Sequence, residues 1–133
     1  MQINSIKDLK EYRIGCILDG APEQLILDAG VDEKQLEKLV DPELNIRKLQ
    51  AGRIDLFAFN ATTTRYLMIK LGINPDDYEV VFSLKGARLY FAFNVKTDDL
   101  LIEAMNRELL ELKKPVGDGS SIFQDIVDRY LKP

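Results

Sequence analysis

An α/β fold with a small parallel sheet is what this sequence predicts, and three observations predict it. Strand-length apolar runs alternate with helical patterns through the first two-thirds of the chain. The helical patterns open on capping residues or proline and close on glycine. The run Leu56-Phe57-Ala58-Phe59 is apolar on both faces, as a parallel strand covered by helices on either side requires.

Residues 12–18, containing Ile14-Gly15-Cys16-Ile17-Leu18, predict the first strand. Residues 22–29 predict a helix that starts at Pro22 and ends at Gly30. Residues 32–40 carry two signals. Asp32 with Gln35 makes a capping-box pattern, and Leu36 with Leu39 has helical spacing. A βαβ order nevertheless asks for a short strand near Leu39-Val40. Asp41 caps an amphipathic helix over 42–51, and Pro42 fits its first position because its missing N–H has no partner there. Gly52 suits the left-handed residue that ends a helix. A strand follows at 55–60 and a helix at about 63–71, with Asn60 at the strand's end and Thr62, Thr63 and Thr64 opening the helix. Gly72 stops that helix, and Asn74-Pro75-Asp76-Asp77 is a turn.

Two more strands are expected at 78–84 and 88–94, joined around Lys85-Gly86. The second is aromatic, with Tyr90, Phe91 and Phe93 placed in the core. Two helices finish the chain. Thr97 is expected to cap the first, with Asp98 and Asp99 in its first turn and Leu101, Met105, Leu109 and Leu112 as its apolar stripe. Ser121 and Gln124 form a capping-box pattern for the second, whose stripe is Ile122, Phe123, Ile126, Val127, Tyr130 and Leu131.

Composition narrows the function. A chain of 133 residues is long enough to bury one real core. Its net charge is −4 and its pI about 4.9, with lysines and arginines scattered among acids. No clustered basic face for nucleic acid or an anionic membrane is present. There is no histidine, the commonest general base and transition-metal ligand. The single Cys16 excludes an internal disulfide and a cysteine-based zinc site. Its apolar neighbours make it a buried small hydrophobe rather than a nucleophile. No apolar run approaches membrane-spanning length, Met1–Ser5 lacks the features of a signal peptide, and nothing implies a cofactor.

In open α/β sheets, ligands bind beyond the carboxyl ends of strands, where helix N-termini converge. The candidate ligand-binding residues are therefore Asp19, Gly20, Ala21 and Pro22 after the first strand, and Asn60, Ala61 and Thr62 after the 55–60 strand. Asp19-Gly20 also suits a plain turn, and Asn60 also suits a helix cap. Asp55 begins its strand away from that cleft and is expected to be structural. Asp32, Glu33 and Glu37 form a solvated face.

Ile6-Lys7-Asp8-Leu9-Lys10 leading into Tyr12-Arg13-Ile14-Gly15, the Leu49-to-Asp55 segment, Tyr90-Phe91-Ala92-Phe93, and the ending from Leu109 to Leu131 recur here in order. Together they resemble the bacterial extracellular solute-binding proteins that capture polar amino acids for ABC importers. The resemblance implies a periplasmic-binding-protein-like (type II) lobe: a βαβ sheet with helices on both faces, plus two C-terminal helices. On it, about 10–93 matches the second lobe and 95–133 the closing helical segment of one solute-binding-protein-like domain. It implies a small polar solute, an ABC permease as partner, binding rather than catalysis, and periplasmic or extracellular placement once an export signal is removed. With most of the first lobe unmatched, the C-terminal stripes need another surface, and a homodimer through those helices is the expectation.

Two departures from the family pattern stand out. The family places a small hydroxyl residue after the first strand of this lobe to hold a ligand carboxylate, where this chain has Asp19-Gly20-Ala21-Pro22-Glu23. The family's acidic partner for the ligand ammonium corresponds to Asn60. Two other readings follow: a non-binding lobe acting as an interaction module, and a carboxylate-dependent lyase in which Asp19 and Glu23 approach each other.

Overall fold

Three short parallel strands, β1 (Ile14–Ile17), β2 (Leu36–Leu39) and β3 (Leu56–Ala58), form an open sheet in the order β2-β1-β3. The computed structural model describes residues 3–84, 91–117 and 119–131. Helix α1 (Ala21–Asp28) joins β1 to β2, α2 (Pro42–Gln50) joins β2 to β3, and α3 (Ala61–Lys70) follows β3. Ile14 pairs in register with Leu36 on one side and Leu56 on the other.

The strands alternate their side chains between two cores, as the pleat dictates. Ile14, Cys16 and Leu36 pack with Ile26 of α1 and with Ile3, Leu9 and Val31, and Leu56 and Ala58 lean on the same cluster. Phe57 points the other way, to Ile46 of α2 and Met68 of α3. Helices thus cover both faces, and the predicted α/β class with a parallel sheet is what the chain adopts.

Local chemistry places α1 and α2 where the sequence predicts, whereas α3 starts at Ala61, ahead of the expected start at about 63, because Asn60 rather than the threonines caps it. Asp41 accepts a hydrogen bond from the Glu43 N–H at 2.8 Å, ahead of Pro42. Gly52 closes α2 at φ 65°, a conformation a Cβ would penalise. Its N–H donates to the Leu49 carbonyl at 3.1 Å, while the Arg53 N–H donates to Lys48 at 2.9 Å. The same paired closure ends α1 and α3, turning Val31 and Ile73 back into the cores beside Ile26 and Met68. At Gly15 the issue is room. A Cβ there would sit 2.5 Å from Ile54 Cδ1 and 2.7 Å from Asn45 Oδ1, so its absence lets α2 lie close on β1.

Several expectations are corrected. Residues Glu33–Gln35 form one 3-10 turn and β2 begins at Leu36, earlier than the Leu39-Val40 position expected. The capping box does not close: Asp32 accepts from the Lys34 N–H at 2.9 Å, but the Gln35 amide donates to the Lys10 carbonyl instead. Residues 78–84 form no strand, although Val81, Phe82 and Leu84 lean on the β1 cluster. Strand propensity is not enough where no neighbour among the described residues supplies ladder bonds. Of the expected 88–94 strand, residues 88–90, with Tyr90, lie outside the described residues, as does the Lys85-Gly86 joint. Its described part, 91–94, is not a strand, and Phe91 is 67% exposed rather than core.

The chain divides into two units, residues 1–86 with the sheet and 87–133 with α4 (Asp99–Leu112) and α5 (Ile122–Leu131). Asp98, not Thr97, caps α4, accepting from the Leu100 N–H at 2.8 Å. Aspartate outranks threonine at that position, and the Thr97 N–H is spent on a turn to Asn94. Ser121 accepts from the Gln124 N–H at 3.1 Å, whereas the Gln124 amide runs forward to Asp128. Lys113 stands over the Phe123 ring, 5.4 Å from its centre, linking the end of α4 to the start of α5. No described residue of either helix is buried, and Leu100, Leu101, Leu110, Ile122, Phe123 and Tyr130 are exposed.

Candidate functional site

The order β2-β1-β3 means that the chain leaves β1 on one side to reach β2 and returns past it to reach β3. The switch point of the sheet lies between β1 and β3, where open α/β sheets take ligands. Cys16 and Ala58 are the last register pair there. Just beyond them, β1 runs into Asp19, Gly20, Ala21 and Pro22, and β3 into Asn60, Ala61 and Thr62. The two predicted turns therefore share one edge of the sheet. Asp19, Ala21, Asn60, Ala61 and Thr62 are exposed, and Gly20 and Pro22 half-buried.

The first turn is organised by Glu23. Asp19 adopts φ 56°, a left-handed conformation that aspartate tolerates better than most residues. Its N–H donates to Glu23 Oε2 at 2.7 Å. The other oxygen, Oε1, meets Lys38 Nζ at 2.9 Å. Lys38 stands on β2, two residues from Leu36 and so on its face of the sheet, and also pairs with Glu33. Glu23 is 93% shielded from solvent in consequence of this seat, at 7% exposure. The Lys38 ammonium, aided by the Asp19 N–H, holds the Glu23 carboxyl below its ordinary range against the opposing effect of burial. Glu33 and then Glu23 raise Lys38 in return. Asp19 and Glu23 do meet, through a backbone N–H rather than as a carboxyl pair. Cys16 lies buried nearby, and burial, with the Glu23 charge adding, pushes its thiol up to about 11. That thiol is inert packing.

The second turn is a helix cap. Asn60 Oδ1 accepts from the Thr63 N–H at 2.9 Å and from the Thr63 hydroxyl at 3.0 Å. The Thr64 hydroxyl donates to the Asn60 carbonyl at 2.9 Å. Capping uses the oxygen and leaves the Nδ2 protons at the exposed edge. The first turn of α3 carries no acid, unlike α1 with Glu23 and α2 with Glu43.

Asp55 is structural, as expected. It sits at the amino end of β3, where Arg13 Nη2 reaches its Oδ1 at 2.7 Å, Arg13 Nε its Oδ2 at 3.0 Å, and the Arg13 N–H its Oδ2 at 2.9 Å. The guanidinium bonds lower Asp55 to about 2. Two residues of consequence carry no mark in the sequence. Lys38 is one lysine among many, and only strand alternation with Leu36 signals that it faces α1. Asn45 is fully buried in α2, donating to the Cys16 carbonyl at 3.0 Å, with Oδ1 lacking a partner among the described residues.

Among the described residues no group of three or more His, Cys, Asp or Glu side chains is placed to hold a metal ion, and no helix is long and apolar enough to cross a membrane. Comparison with known protein families, with curated proteins and with solved structures finds no match to this chain.

Proposed function

We propose that this chain binds a small polar, amino-acid-like solute at the carboxyl edge of its sheet, between the Asp19–Pro22 and Asn60–Thr62 turns. The observation that carries the reading is the strand order, which brings two unrelated β–α turns together at the switch point. The Asn60 Nδ2 protons and the Asp19 carboxylate stand there as donor and acceptor. The resemblance to polar amino-acid solute-binding proteins supports the same edge and suggests the setting: a component of an ABC-type importer, or a derivative of one, outside the cytoplasmic membrane and meeting a permease. In that setting a second wall must cover the solute, and a partner copy recruited through the apolar faces of α4 and α5 supplies it. Binding then strengthens association and association strengthens binding. Catalysis ranks below binding because both Glu23 oxygens are already committed, Oε2 to the Asp19 N–H and Oε1 to Lys38, which leaves neither aimed at a substrate.

The interaction-module reading is favoured by a separate observation, the lack of any buried described residue in α4 and α5. Native mass spectrometry on the purified chain separates the two. Binding predicts a dimer carrying a small extra mass. Asn60→Ala should lose that mass, because it removes the Nδ2 donor without adding a charge. A bare species in both the wild type and Asn60→Ala supports the module instead.

A further inference from the structure

We propose that Glu23 is a built-in occupant of the place an incoming carboxylate would take at the end of β1, and that it turns this edge toward solutes presenting a cationic or hydrogen-donating end. The inference rests on the solute-binding reading and names the part of the solute that faces the β1–α1 turn. Two donors of separate origin converge on one carboxylate: the Asp19 N–H at 2.7 Å, from the turn itself, and Lys38 Nζ at 2.9 Å, from the neighbouring strand. Together they form a receptor for a carboxylate, and it is filled from within. The α1 N-cap, Gly20, makes no side-chain capping bond, so Glu23 is also the group that organises the helix start.

A free carboxylate competes poorly here. Glu23 is tethered four residues from Asp19 and acts at a high effective concentration. Displacing it would leave a nearly buried charge without its partner. The exposed Asp19 carboxylate repels a second anion and remains the free acceptor for a cationic group. A solute that carries a carboxylate must direct it elsewhere.

The test is the Asp19 amide signal of the full chain in heteronuclear NMR, titrated with sodium acetate against sodium chloride at constant ionic strength. In the wild type it should not respond to acetate. In E23A it should shift saturably with acetate and not with chloride, and E23A/K38M should lose that response. A saturable acetate shift in the wild type, or none in folded E23A, overturns the proposal. If E23A does not fold, the D19N variant decides. Its residue-19 amide has no titrating side chain of its own and faces Glu23, which Lys38 and Glu33 flank. That amide must then titrate with a midpoint below the ordinary glutamate value of about 4.3. A flat response between about pH 2 and 6 overturns the proposal. Because acetate is the probe, a missing solute in the mass spectrum refutes the binding reading without altering this result.

Discussion

At the scale of single residues, space and charge decide. Gly15→Ala would drive a methyl into Ile54 and Asn45, neither of which has an open side to retreat into. Overpacking of this kind costs about 1–3 kcal/mol, which a urea unfolding curve will read directly. Asp55 gives a pH signature. Its folded pKa, about 2, lies below the unfolded value of about 3.9, so its contribution to stability is complete above about pH 4. It is lost as pH falls from there toward 2. The stability gap between wild type and Asp55→Asn should therefore be largest near neutrality and close through that window, measured as unfolding midpoints. A gap that stays constant would mean Arg13 gains nothing from the charge. Asp55 was legible in the sequence as structural because it starts its strand. Lys38 and Asn45 were not, because their roles come from neighbours that only the folded sheet supplies.

At the scale of elements, the sequence marks helices better than strands. Asp41-Pro42 and Gly52 bracket α2 because capping and left-handed closure act within a few residues. The same holds for Asn60 and α3. Strands depend on distant partners, and this is where expectation and structure part. The β-favouring run 78–84 has side chains leaning on the β1 cluster but no ladder of its own. Amide exchange should show the difference. Residues 80–84 should exchange faster than Ile14–Ile17 by roughly two orders of magnitude or more, since their opening needs no global unfolding. Equal protection in both segments would restore the missing strand. The candidate site was partly legible for the same reason: its turns are local, whereas the Glu23–Lys38 pair that fills one of them spans two elements.

At the scale of the whole molecule, the two units differ in what they bury. Residues 1–86 hold both hydrophobic cores, one on each face of the sheet. Among described residues of α4 and α5 nothing is buried, yet both helices carry clear apolar stripes. The α/β class was legible from alternation alone, because three β–α steps suffice to declare it. The sheet's order has a further consequence for how the protein comes into being. Its middle strand is the first to leave the ribosome and the last to be flanked. β1 ends at Ile17, but its second neighbour is not complete until Ala58. Until then Ile14 and Cys16 have hydrogen-bonding partners on one side at most. A nascent chain halted between Leu39 and Leu56 presents an open, apolar strand edge, the kind of surface that chaperones hold and other chains join.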